Sequence, residues 1–127
     1  MKIFYDHLLP GGKFVVEIET LHAVPKNLGL WHGVMREKTD GAKILLSTLP
    51  NFDSETQILQ TVGRYELIQN TQIMHTEVEN LNVRLYQHEE FDNLLVDAGF
   101  KDIMRLKAYG HAESDDTDEV VVYDCTK

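Results

Sequence analysis

The sequence is poor in cysteine and in basic residues. Cys125 is its only cysteine, so the chain forms no internal disulfide and no cysteine cluster for a metal. Lys and Arg number 12 against 21 Asp and Glu, giving a formal net charge of -9. Because phosphate binding needs a basic face, a nucleic-acid partner is not expected. The simplest interpretation of the net negative charge is that it keeps the protein soluble.

Long apolar runs are also absent. No segment approaches the roughly 18 consecutive apolar residues of a membrane span. The N-terminus lacks the basic-then-apolar pattern of a signal peptide. These absences predict a cytoplasmic protein without a membrane partner.

The overall composition is ordinary for a globular chain. Hydrophobic residues make up 43% and charged residues 26% of the 127 residues, which is typical of folded domains. A chain of this length is one domain or part of one, and it is long enough to bury a core. There is no internal repeat and no inter-domain linker, so we predict a single partial domain over residues 1–127, built from three segments.

The strongest local signal lies near the N-terminus. Residues 2–9 carry apolar side chains at helical spacing, but the run is too short to be a stable helix alone, which indicates the last turns of a helix. Pro10 cannot continue a helix, and Gly11-Gly12 allow the positive φ of a tight turn. The apolar run that follows predicts a buried strand over residues 13–19. Residues 1–19 therefore form the first segment.

The middle of the chain has the pattern of antiparallel strands. Asp40-Gly41 is a favoured hairpin pair, Asn70 suits a left-handed turn position, and residues 49–53 are predicted to form a loop. We therefore expect an antiparallel meander within the second segment, residues 20–87. The predicted strands are 30–36, 44–46, 56–68 and 72–86.

The last segment, residues 88–127, begins with a helix over residues 88–98. Acidic residues occupy its first turn, where the helix dipole favours them. Gly99 stands where a C-terminal cap belongs. A closing pair of strands is predicted over 101–109 and 119–125, separated by an acidic loop. The apolar stripe of the helix consists of Phe91, Leu94, Leu95 and Ala98.

Three separated elements resemble class I S-adenosylmethionine (SAM)-dependent methyltransferases in order and spacing. Leu8-Leu9-Pro10-Gly11-Gly12 resembles the L-x-P-G-G element that joins the fourth helix of that family to its fifth strand. Glu90–Phe100 resembles the E-F-x-x-L-L-x-x-A-G-F helix before the sixth strand, and the closing strand pair is the third element. The long antiparallel stretch between them is similar to the inserted sheet of small-molecule methyltransferases, including sugar N-methyltransferases.

The resemblance implies an α/β fold, namely the C-terminal part of a Rossmann-like methyltransferase sheet with an inserted antiparallel β meander. It implies the acceptor-binding portion of an enzyme that methylates a small molecule. The family binds SAM through a glycine-rich turn after its first strand and an acid that ends the second. No G-x-G-x-G occurs in this sequence. SAM is therefore expected as cofactor of an intact enzyme, not of this chain alone, and no cofactor ligand is assigned.

The expected partners are a small-molecule acceptor and either a second copy of the chain or a SAM-binding half. A rival interpretation comes from another class of protein. The chain could be a non-catalytic module whose curved antiparallel sheet binds a small ligand or mediates dimerisation.

Glu19 is the candidate catalytic residue. Side chains alternate along a strand, so Glu17 and Glu19 point to the same side. A carboxylate near the C-terminal end of a central strand lies where α/β sheets bind ligands. Glu19 could orient or deprotonate an amine or hydroxyl acceptor, and the alternative is an acid at a solvated strand end.

Other polar and aromatic residues are candidates for binding the acceptor. Trp31 could close over a substrate, or it could fill core space, as large aromatics do more often. Arg84 and Tyr86, with Arg64 and Tyr65, could form a polar pocket, although cross-strand pairing is the more common role. The candidate substrate-binding residues are Glu17, His22, Trp31, His32, Arg84 and Tyr86.

His75, Glu77 and Glu79 share one face of a predicted strand. Histidine and carboxylates at this spacing could bind a metal or share a proton. A polar face turned to solvent is the favoured interpretation, because a zinc site would need a third strong ligand. No metal ligand is assigned, and Cys125 is expected to be structural.

Overall fold

The structure, a computed structural model, describes residues 1–127 without a gap. The chain divides into two compact units, Met1–Val24 with Leu85–Lys127, and Pro25–Arg84. Neither α-helix is long or apolar enough to cross a lipid bilayer. In chain order the elements are α1 (Lys2–His7), β1 (Lys13–Glu19), a 3-10 turn (Leu21–Ala23), β2 (His32–Glu37), β3 (Lys43–Asp53), β4 (Ile58–Gln69), β5 (Gln72–Arg84), α2 (His88–Ala98), β6 (Lys101–Lys107) and β7 (Val120–Thr126).

The first unit contains a three-stranded sheet with the order β1-β7-β6. Both strand pairs are antiparallel. The strand predicted over residues 13–19 is confirmed. The closing pair predicted over 101–109 and 119–125 is present as β6 and β7, with small shifts at the strand ends.

The core of this unit lies on one face of the sheet. Phe14, Val16 and Ile18 alternate along β1 and pack in the core with Phe91 and Leu95 of α2. The other buried members are Ala98, Phe100, Val121, Tyr123 and Cys125. The sequence predicts a buried strand, but β1 is buried on this face alone. The reason is that α1 and α2 both pack on the core side of the sheet. The residues of β1 that alternate with the core residues, Val15 and Glu17, are exposed on the other side.

The helix predicted over residues 88–98 and its glycine cap are both confirmed. Gly99 adopts the left-handed conformation, with φ 104° and ψ 7°. The amide of Gly99 donates to the carbonyl of Val96 at 2.9 Å, and that of Phe100 donates to Leu95 at 3.1 Å. These bonds satisfy carbonyls at the end of α2 that have no partner within the helix.

The two edges of this sheet differ. The edge of β6 is covered by the loop before β7, because the Lys107 amide donates to Ala112 at 2.9 Å and the Ser114 amide donates to Arg105 at 3.0 Å. β1 lies at the other edge of the sheet and has β7 as its only strand partner. The resemblance implies a central strand in an intact enzyme that has a SAM-binding half beside it; within this chain, β1 is an edge strand.

The open edge of β1 can be assigned residue by residue. Gly12 accepts from Lys127, and Thr20 donates to Glu119, so even-numbered residues direct their backbone groups toward β7. In an antiparallel strand, the N–H and C=O groups of one residue point to the same side, and those of the next residue point to the opposite side. The backbone N–H and C=O groups of Lys13, Val15 and Glu17 therefore face the open edge.

The second unit is the predicted antiparallel meander, with the strand order β2-β3-β4-β5. The turn predicted at Asp40-Gly41 is confirmed, with Gly41 at φ 80°. The turn between β4 and β5 places both Asn70 and Thr71 in the left-handed region, at φ 48° and 62°. Asn70 was the expected residue there, and such pairs of positive φ match the twist of a hairpin.

The loop predicted over residues 49–53 is wrong, because β3 continues through Asp53. Proline was the reason to expect a break. The carbonyl of Pro50 accepts from the Gly29 amide at 2.8 Å, so the backbone of Pro50 faces away from β4. The N–H that proline lacks is therefore not needed for pairing with β4, and the strand tolerates it.

Candidate functional site

Glu19 and Tyr86 are brought together at the end of β1. The amide of Tyr86 donates to the carbonyl of Glu19 at 3.1 Å, and the amide of Leu21 donates to the carbonyl of Tyr86 at 3.1 Å. Thr20 and Tyr86 form an isolated parallel bridge. The chain after β5 thus runs beside the last residues of β1, and the backbones of two of the sequence candidates become neighbours.

Thr20 fixes the backbone at this point, a role that the sequence pattern did not indicate. Its side chain is fully buried. The hydroxyl donates to the carbonyl of Asp118 at 2.7 Å and accepts from the amide of His22 at 3.2 Å. Thr20 therefore caps the short turn that carries His22 and ties it to the loop before β7. A threonine directly before a turn was the available signal.

The two carboxylates of β1 lie on the sheet face opposite α2. Glu17 is opposite Val122 and is exposed, whereas Glu19 is opposite Val120 and is half-buried. His22 is exposed on the turn after β1. Tyr86 is half-buried, and its ring packs edge-on against Phe91 with the centroids 5.0 Å apart. The ring of Tyr86 thus has a packing role whatever else it does.

Two buried polar atoms that the sequence did not indicate belong to residues in the first half of α2. Nε2 of His88 and Oδ1 of Asp92 are buried and make no hydrogen bond. The hydroxyl of Tyr123 donates to the carbonyl of His88 at 3.3 Å. Burial raises the pKa of Tyr123, and the neighbouring carboxylate of Asp92 raises it further. Tyr123 therefore stays protonated and acts as a hydrogen-bond donor.

The remaining predicted residues belong to the second unit. His32 is exposed opposite Thr48, and Arg84 is exposed at the end of β5. Trp31 is 52% exposed, so it does not fill a core. Its ring lies 5.2 Å from Cζ of Arg64.

The face that carries His75, Glu77 and Glu79 is exposed, and its polar groups pair with one another. Nε2 of His75 lies 2.9 Å from Oε1 of Glu77. The hydroxyl of Tyr65 donates to Glu79 at 2.7 Å, and this bond raises the pKa of Tyr65. No group of three or more His, Cys, Asp or Glu side chains is arranged to hold a metal ion.

None of the strands leads through a glycine-rich turn into the N-terminus of an α-helix. A nucleotide-type cofactor is bound where a strand leads through a glycine-rich turn into a helix N-terminus. Here β1 leads into a 3-10 turn, and the residues before α1 and α2 are Met1 and Gln87. The residues present therefore do not fit the cofactor, and no binding residue is assigned to it.

Comparison with solved structures identifies the fold. A SAM-dependent methyltransferase from Clostridium acetobutylicum matches 98% of this chain with 48% of its own, at a TM-score of 0.77 and 15% identity. The chain shares the fold of SAM-dependent methyltransferases. Models of protein families and curated proteins gave no match to the sequence.

Two further structures have related names. A SAM-bound amino pentose methyltransferase of calicheamicin biosynthesis from Micromonospora echinaspora has a TM-score of 0.68 at 16% identity, with 98% of this chain and 48% of that one covered. A sugar N-methyltransferase from a Streptoalloteichus species has a TM-score of 0.65 at 14% identity, with coverages of 96% and 45%. The chain therefore spans about half the length of the methyltransferases that it matches.

Proposed function

We propose that the chain is the C-terminal, acceptor-binding portion of a SAM-dependent methyltransferase that acts on a small molecule in the cytoplasm. On this proposal residues 1–127 are one partial domain, the end of a Rossmann-like sheet with an antiparallel insert. The observation that carries it is a match of 98% of the chain to 48% of a methyltransferase. Because two of the matched proteins are named for sugar substrates, a sugar-like amine is the first acceptor class to test.

In this proposal Glu19 orients the acceptor or removes its proton. Glu19 is half-buried at the end of β1, beside a backbone held by Thr20 and Tyr86. Methyl transfer needs a nucleophile with a free electron pair held in attack geometry, so positioning supplies much of the rate. Glu17, His22 and Tyr86 are the proposed acceptor-binding residues of the first unit. Trp31, His32 and Arg84 are those of the second.

A SAM-binding half would be supplied by another stretch of polypeptide. The open edge of β1 is the proposed place for it, because the backbone groups of Lys13, Val15 and Glu17 face that edge without a strand partner. Sheet edges of this kind are normally paired or protected. Val15 is also 61% exposed, so an added strand would cover apolar surface as well.

Two titrations of the purified chain test the proposal. With SAM in a calorimeter we expect no binding in the micromolar range, which corresponds to about -8 kcal/mol. With amino sugars in an NMR titration we expect shifts at the amides of Glu19, Leu21 and Tyr86. Glu19→Gln should reduce the acceptor shifts, whereas Glu37→Gln, an exposed glutamate of β2, should not. Micromolar SAM binding, or acceptor shifts that are unchanged in Glu19→Gln, would contradict the proposal.

The rival function, a non-catalytic dimerisation module, is favoured by one observation. Every residue of β5 except Val83 is exposed, and no strand pairs with its outer edge. Four large apolar side chains of this strand are exposed, namely Ile73, Met74, Val78 and Leu81. A dimer that is abolished by Val78→Lys, in a chain with no acceptor binding, would favour the module.

A further inference from the structure

Arg64 lies in a row of the second unit's sheet whose members from β2 and β3 are small. Arg64 is opposite Ser47 of β3, and Ser47 is opposite Gly33 of β2. Side chains in one such row share a face of the sheet. Because Gly33 and Ser47 have little or no side chain, the long side chain of Arg64 has room over the row. Its guanidinium carbon lies 5.2 Å from the centroid of the Trp31 ring.

Glu66 holds the guanidinium from another side. Glu66 is two residues after Arg64 on the same strand face and is 8% exposed. Its Oε2 lies 3.4 Å from Nε of Arg64. This is an ion-pair contact, since Nε is buried and makes no hydrogen bond. The guanidinium therefore lies over an aromatic ring and has a carboxylate beside its Nε.

The other end of the guanidinium is available for a ligand. The side chain of Arg64 is 43% exposed, and none of the hydrogen bonds described for the chain uses its Nη atoms. Arginine presents parallel N–H groups that match the two oxygens of a carboxylate or phosphate. Stacking on an aromatic ring restricts the side chain before binding, which lowers the entropy lost on binding.

We propose that Arg64, positioned by Trp31 and Glu66, binds an oxyanion, the carboxylate or phosphate group of a small ligand. This site lies within the second unit and does not depend on methyltransferase activity. The alternative is that Arg64 and Trp31 only pack over the face of the sheet and bind no ligand. That alternative predicts no response of the stack to added anions.

Trp31 provides the measurement, because it is the only tryptophan of the chain. The fluorescence of the full chain is followed while sodium phosphate, sodium acetate or sodium chloride is added at matched ionic strength. We expect a saturable change with phosphate or acetate in the millimolar range, since the arginine is partly exposed and paired. Chloride has no pair of oxygens to match the guanidinium and should give no saturable change. Whichever oxyanion binds more tightly identifies the ligand group.

Variants of Arg64 distinguish specific binding of the anion from a general effect of positive charge. Arg64→Leu should abolish the saturable change, and Arg64→Lys should weaken it at least several-fold, because lysine keeps the charge but loses the planar pair of donors. Arg36→Leu is the matched control. It removes the same charge from β2, where Arg36 is opposite Ile44 and so faces the other side of the sheet from Gly33. Its titration should match that of the unaltered chain.

Three results from the unaltered chain and Arg64→Leu would overturn the proposal. They are the absence of a saturable change in the unaltered chain, an equal change with chloride, and a change that survives Arg64→Leu. Arg64→Leu leaves the buried carboxylate of Glu66 without its partner, so this variant could lose structure. Arg64→Lys keeps a cation there. An unchanged affinity in folded Arg64→Lys would equally contradict bidentate binding.

Discussion

The phenol ring of Tyr5 lies against the backbone of Gly99. A Cβ placed on Gly99 would lie 3.0 Å from Cζ of Tyr5. The same ring packs edge-on against Phe100, with the centroids 5.2 Å apart, and the ammonium group of Lys127 lies 4.7 Å from its centre. Glycine at position 99 thus serves two purposes, a left-handed helix cap and a close approach of α1.

Gly99→Ala should therefore cost more than the ~1 kcal/mol expected from the loss of a glycine cap alone. Asparagine tolerates left-handed conformations, but Gly99→Asn should also be destabilising, because any Cβ meets the ring of Tyr5. In a Tyr5→Leu background the cost of Gly99→Ala should be smaller, since the ring atoms nearest to the new Cβ are removed. Urea denaturation of the four proteins of this cycle measures the coupling.

Additive effects of Tyr5→Leu and Gly99→Ala would show that the contact has no energetic consequence. A mild effect of Gly99→Asn alone would mean that the ring moves away at little cost. Gly110→Ala is a useful control, because a Cβ at that exposed glycine meets no atom closer than 3.9 Å.

The helix over residues 88–98 could be predicted because its signals are local. Acids in its first turn, an apolar stripe and Gly99 all lie within a dozen residues. β1 was predictable for a similar reason, since Pro10 and the two glycines mark its start. In each case the residues that mark the ends of the element are close together in sequence.

The contacts of Arg64 with Trp31, and of Thr20 with Asp118, could not be predicted in this way. They depend on the register of strands far apart in sequence, and a shift of one residue reverses the face of every side chain. Pro50 shows the same limit. Whether a proline breaks a strand depends on which neighbour its N–H would have faced, and only the pairing decides that.

Thr20→Val should destabilise the chain by ~1–3 kcal/mol. Valine has nearly the same shape, but it leaves the carbonyl of Asp118 and the amide of His22 without the hydroxyl that pairs with them, in a fully buried position. Thr20→Ser keeps the hydroxyl and should cost less. A larger loss of urea-denaturation stability in Thr20→Ser than in Thr20→Val would show that the methyl group, not the hydroxyl, matters here.

Cys125 should react slowly with a thiol reagent in the folded chain. Its side chain is fully buried, its Sγ lies 3.5 Å from the carbonyl of Phe14, and burial raises the pKa of the thiol. The reactive species is the thiolate, so both effects suppress the reaction. Labelling at neutral pH should be orders of magnitude faster in urea. Fast labelling without denaturant would mean that β1 and β7 separate readily.

Asp115 should contribute stability that is lost in acid. Hydrogen bonds from Thr117, together with that from Lys107 at 2.9 Å, hold the pKa of Asp115 well below its usual range. A lowered pKa in the folded state stabilises the chain above the unfolded value of about 3.9 and loses this contribution as the pH falls through the folded value. Stability measured from pH 7 downward should therefore fall less steeply in Asp115→Asn. Asp116→Asn removes the same charge from the same loop without touching these bonds. The fall of its stability at low pH should resemble that of the parent chain.

The open edge of β1 predicts self-association of the isolated chain. Val15 is 61% exposed on a strand whose outer backbone groups have no partner strand, and such edges pair with other chains. Val15→Lys should weaken the association at least about tenfold, or ~1.4 kcal/mol, because a charged edge residue opposes pairing. Met104→Lys makes the same change on the same face, but in β6, whose edge is covered by the loop before β7, so it should have less effect. Sedimentation equilibrium at high micromolar concentration decides the matter: a monomer throughout, or equal effects of the two lysines, would show that this edge is not the contact.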